Sequence, residues 1–215
     1  MIEIVENAVQ FSVLLICAGV AAVQAIRARG GTAALLFFFY ISYALADLYS
    51  ILYLVFYDST PQVFYVSDLG WYASYLYLFL LLHRMAGPEE RMVRHPVLWL
   101  PPLFCCGMGA FYMQWGDYPG NIISVVLMSL LTHHAVRGLK YMRAHPEKAA
   151  NRPLYRAALI FCAAEYCVWT ASCFWSGDTW TNLYFLCDCL LTVCMALILP
   201  AYRKSCAGSG EGVKA

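Results

Sequence analysis

The chain has 215 residues, 62% hydrophobic and 13% charged, with a formal net charge of +1 and a mean hydropathy of +0.61. A soluble domain of that length cannot bury so much apolar surface, so the bilayer has to serve as part of its solvent. No basic patch suits a nucleic acid, and the acidic start MIEIVENAV lacks the basic region of a cleaved signal peptide, so the first apolar run is expected to stay as a span.

A membrane-crossing helix needs roughly 20 mostly apolar residues. Seven stretches meet or approach that length, at 8–26, 33–57, 68–86, 96–114, 119–137, 154–176 and 180–202. Turn chemistry separates them: RARGG, YDSTPQ, MAGPEE, WGDYPG, RAHPEKAANRP and SGDT. The fourth carries Pro96, Pro101 and Pro102, which are expected to kink or break it near one end. The expected fold class is therefore an all-α integral membrane protein, with a seven-helix domain over 1–204. A short disordered tail rich in glycine and small polar residues is expected over 205–215.

Orientation follows from the fourteen Lys and Arg residues. Arg27 and Arg29 lie in the first connection, and Arg84, Arg91 and Arg94 in the third. Arg137, Lys140, Arg143, Lys148, Arg152 and Arg156 border or occupy the fifth, and Arg203, Lys204 and Lys214 follow the last span. With seven spans all fourteen share one face, while Glu3, Glu6, Asp58, Asp117 and Asp178 lie on the other. The positive-inside bias then puts the N-terminus outside and the C-terminus in the cytoplasm, in a cell-membrane protein.

An internal echo links AALLF (Ala33–Phe37) with AALIF (Ala157–Phe161), and the acid closing FYVSD (Asp68) with that closing YFLCD (Asp188). This points to three helices, a linker helix and three more in the same orientation. Seven spans, an outer N-terminus and that pattern resemble the small transporter, opsin and receptor bundles, among them the SWEET and PQ-loop families. The resemblance is architectural. The Pro61-Gln62 pair falls in an outer loop rather than a helix, and no lysine stands between Trp180 and Ala201 to hold retinal. No functional residue is carried over.

The chemistry lies in four acids. Glu165 falls near the centre of its span, and Asp47 roughly 3 Å and Asp188 roughly 4–5 Å to the outer side of theirs. Asp68 marks the outer mouth of the third span. No Lys or Arg stands opposite them, and a mid-bilayer carboxylate costs on the order of 3 kcal/mol even on lenient scales. Three options follow: the acids are protonated, they line a wet cavity, or they hold a cation. Helical spacing adds Tyr43 and Ser50 to Asp47, Trp71 to Asp68, Trp169 to Glu165 and Tyr184 to Asp188. Acids beside aromatic rings suit an amine or another small cation. The plainer alternative is neutral acids bonded to neighbouring helices.

Other constellations are weaker. His133 and His134 are adjacent and diverge by about 100° on a helix. The ten cysteines include no C-x-x-C pair and read as small apolar residues. No metal, cofactor or catalytic residue is expected, and no enzyme activity. The leading expectation is a small secondary transporter for a cationic or proton-coupled solute. The other is a ligand-sensing receptor or adaptor that signals through a cytoplasmic partner docked at 137–156. Beyond that partner, the lipid bilayer and the small cation or proton are the expected partners, and association with further copies of the chain stays open.

Overall fold

The computed structural model describes residues 2–28, 31–57, 66–175, 177, 179 and 181–208. Arg29, Asp58, Pro61-Gln62, Asp178, Trp180 and Lys214, used above, lie outside them. Among the described residues there is no strand. The helices are α1 (Ile2–Ala28), α2 (Gly31–Tyr57), α3 (Val66–Met85), the single turn α4 (Pro88–Arg91), α5 (Leu100–Tyr112), α6 (Tyr118–Ala144), α7 (Arg152–Phe174) and α8 (Leu183–Gly208). Short 3-10 turns at Pro96–Trp99 and Met113–Trp115 flank α5, and another at Pro146–Asn151 precedes α7.

Six helical segments are long and apolar enough to cross a membrane: Ile2–Arg27, Gly31–Tyr57, Pro96–Trp115, Tyr118–Ala144, Pro146–Phe174 and Leu183–Gly208. The remaining long helix, α3, falls outside that set. It has 20 residues and carries Asp68 in its first turn and His83 and Arg84 in its last. Large apolar side chains such as Ile16, Ile26, Leu103 and Leu186 face outward. An exterior of that kind belongs against hydrocarbon, and the bundle fits a multi-pass membrane protein.

Local chemistry sets the helix ends. Asp117, in the left-handed region at φ 45°, caps α6 by accepting from the Gly120 N–H at 3.1 Å. Pro119 and Pro153 occupy first turns, where the missing N–H costs nothing. Pro101 and Pro102 likewise open α5. The break expected in this segment is a change from 3-10 turn to α-helix at Trp99–Leu100. At the far end α8 continues through Gly208, four residues into the stretch read as a tail; residues 209–215 lie outside the described residues.

The long helices pack as a closed ring in the order α1, α2, α3, α6, α7, α8 and back to α1, with α5 outside it against α6. Gly70 allows a close approach of α3 to α2. A Cβ there would lie 2.9 Å from both the Ser42 carbonyl and the Ala46 side chain of α2. That closeness sets Trp71 against the α2 face bearing Tyr43 and Asp47.

The basic end of the ring is tied by polar contacts. The Tyr155 hydroxyl donates to Glu90, a side chain only 3% exposed, and Asn151 Nδ2 donates to the Met85 carbonyl at 2.8 Å. Glu89 accepts from both the Tyr141 hydroxyl and Lys148 Nζ, each at 2.5 Å. Gly138 leaves room for this knot, since a Cβ there would meet the Tyr155 ring and lie 2.7 Å from Glu90 Oε1. Lys148 and Tyr141 hold the Glu89 carboxyl below its ordinary range. Burial pushes Glu90 up, partly offset by the Tyr155 hydroxyl.

Candidate functional site

At the opposite end of the ring, five helices enclose a cavity of about 210 Å³. Helix α1 contributes Asn7 and Gln10, α2 contributes Tyr43, and α3 contributes Trp71 and Tyr75. Helix α7 adds Glu165, Trp169 and Ser172, and α8 adds Tyr184 and Asp188. Six residues singled out from the sequence, Tyr43, Trp71, Glu165, Trp169, Tyr184 and Asp188, therefore line one space.

Asp47 lies just behind this wall. It is fully buried, and its Oδ1 accepts from Trp71 Nε1 at 3.3 Å while its Oδ2 has no hydrogen-bond partner. Glu165, 1% exposed, accepts from the Tyr43 hydroxyl at 3.2 Å, and the Tyr75 hydroxyl approaches the same carboxyl. Asp188, 5% exposed, accepts from Gln10 Nε2 at 3.4 Å, an amide that also donates to Thr192 Oγ1 at 3.0 Å. Asp47 lies within electrostatic range of both Asp188 and Glu165, and Tyr43 within range of all three.

The slackness of these bonds is informative. A carboxylate fully satisfied by its donors draws them to about 2.7–2.9 Å. The bonds from Gln10, Tyr43 and Trp71 run from 3.2 to 3.4 Å, with the Tyr75 hydroxyl at Glu165 and the Glu6 carboxyl at Asp188 as further contacts. Among the described residues no cationic side chain forms an ion pair with any of these acids. Burying a carboxyl with unmet hydrogen-bonding capacity costs about 1–3 kcal/mol per unsatisfied group. Among the described residues the cluster is thus short of positive charge, and Asp47 Oδ2 lacks a donor.

Two predicted residues sit elsewhere. Asp68 lines a second cavity of about 260 Å³ together with Tyr72, Tyr112, Asp117 and Asn121. Trp71, Tyr75, Trp169 and Ser172 border both spaces and form the partition between them. Ser50 is buried but lines neither cavity.

The sequence reading showed α1 as a span but not its part in the site. It placed Glu3 and Glu6 in an outer loop, whereas the helix begins at Ile2 and buries Glu6 to 8% exposure within reach of Asp188. Apart from the Asp188 carboxyl, neither Glu6 oxygen has a hydrogen-bond partner among the described residues. The signal was present: Glu3, Asn7 and Gln10, with Glu6 beside them, recur at helical spacing and form a polar stripe. Acids ahead of an apolar run read as a loop unless that period is checked.

Among the described residues no three His, Cys, Asp or Glu side chains are grouped as a metal ion requires. His133 bonds through Nδ1 to the Leu98 carbonyl at 2.8 Å, and no disulfide links two cysteines among the described residues. No protein-family model, curated protein or solved structure matches the chain.

Proposed function

We propose that the protein is a small secondary transporter that moves a proton or a small cation through the cavity bounded by Glu165 and Asp188. One observation carries the reading: several buried carboxyls gather around one space, and none of them has a cationic partner among the described residues. The volume sets a limit on the occupant. Pockets for drug-sized ligands run from about 300 to 1,000 Å³, so about 210 Å³ suits a hydrated proton, an inorganic monovalent cation or a small amine.

In this reading α3 crosses the membrane as a seventh span, with Asp68 at the outer mouth. The N-terminus is outside and the basic end faces the cytoplasm of a cell-membrane protein. The ring order supports the three-plus-one-plus-three repeat. Exchanging α1, α2 and α3 with α6, α7 and α8 maps each ring contact onto another, and α5 is left over as the linker. Solute passes Asp68, crosses the Trp71–Trp169 partition and exchanges with the protons of the inner acids. Rocking of the two halves then opens the basic end. No enzymatic step enters this scheme.

The test is flux in proteoliposomes. An inwardly directed gradient of methylammonium or sodium, read by an entrapped pH dye, should drive counter-movement of protons in the wild type. Asp188→Asn combined with Glu165→Gln should abolish it. Cation binding without flux would favour the receptor reading, and neither binding nor flux would sink both.

A further inference from the structure

A groove of about 510 Å³ opens between the start of α7 and the end of α8, on the outside of the bundle at its basic end. Its upper rim carries Arg152, Arg156 and Lys204, and its floor is apolar, with Ala157, Ile160 and Leu197. Arg152 is held by a bond from Nη2 to the Met142 carbonyl at 3.0 Å. Arg156 and Lys204 are exposed and make no ion pair among the described residues. Both helices belong to segments apolar enough to cross a membrane, so the floor faces acyl chains while the rim lies at headgroup level.

From this juxtaposition we infer that the groove is a binding site for one anionic phospholipid, whose phosphate sits among Arg152, Arg156 and Lys204 while an acyl chain lies over Ala157, Ile160 and Leu197. The two parts select together. Guanidinium groups match phosphate oxygens in paired bonds, and Lys adds a point charge. The apolar floor favours a lipid over a free phosphate, since it lies at acyl-chain depth and packs against a tail that a free phosphate lacks. Cationic pockets between helices at the membrane surface hold anionic headgroups on the same grounds. The inference needs the membrane environment but not the transport reading. It gives part of the basic end a task besides orientation.

Native mass spectrometry of the detergent-purified full chain tests it. Phosphatidylglycerol should be retained where phosphatidylcholine is not, and glycerol phosphate should bind far more weakly than the intact lipid. Arg156→Gln with Lys204→Gln should weaken phosphatidylglycerol retention roughly thirty-fold, at about 1 kcal/mol per cation near the surface. Ala157→Leu, which keeps every charge but fills the floor, should weaken the lipid and leave glycerol phosphate unchanged. If the double variant does not fold, high salt on the wild type replaces that arm and should displace the lipid. Equal retention of phosphatidylcholine, equal binding of glycerol phosphate, or indifference to both the charge changes and salt would overturn the proposal.

Discussion

Two acid clusters occupy the two ends of this bundle, and they are satisfied to different degrees. At the basic end Glu90 takes a short bond from Tyr155 with Arg137 nearby, and Glu89 is held by Tyr141 and Lys148. At the other end, among the described residues, Glu6 has only the Asp188 carboxyl beside it and Asp47 has one oxygen without a partner. Carboxyls of the first kind fasten α4 to α6 and α7. Those of the second kind have capacity to spare, and that is what a transient cation or proton needs. Burial alone does not separate structural acids from functional ones; their remaining bonding capacity does.

Exchanging the properties of the two ends should break the comparison most visibly at the cavity. Replacing both Glu165 and Asp188 by their amides should remove flux while leaving the thermal midpoint of the purified protein unchanged or higher. Replacements at the other end should do the reverse. Gly138→Val drives a side chain into Tyr155 and Glu90 and should cost about 3 kcal/mol by overpacking, read as a drop in thermal midpoint. Tyr155→Phe deprives the buried Glu90 of its donor and should cost about 2 kcal/mol.

The pH dependence sharpens the contrast within the basic end. Burial raises Glu90 above its unfolded value, so its contribution is full below that value and is lost as pH rises through the folded one. Glu90→Gln should therefore flatten the fall in thermal midpoint on the alkaline side of the carboxylate range. Glu89 is lowered by Lys148 and Tyr141, so its contribution is present above its unfolded value and is lost as pH falls through the folded one. Because that pair is exposed, Lys148→Ala should move the midpoint least of all.

Much of this was legible in the sequence. Hydropathy located the helical segments, and a rise of 1.5 Å per residue put Asp47, Glu165 and Asp188 at one depth. What depth cannot supply is azimuth. It did not show that Asp68 faces a separate compartment beyond the Trp71–Trp169 partition. Glu90 was hidden in MAGPEE, which reads as an exposed turn. Its burial depends on α4 folding back against α6, a contact between residues nearly 50 positions apart that no local pattern records. Glu6 was hidden by its place near the N-terminus, although its spacing to Gln10 was available.

The most direct test of the account is carbodiimide labelling of the detergent-purified protein, with the modified residues located by peptide mass spectrometry. Glu165 and Asp188 should react in preference to Glu90, and a small cation such as methylammonium should protect them. If Glu165 and Asp188 stay unlabelled, or are labelled with no protection by any small cation, the acids do not exchange with an occupant and the central claim is contradicted.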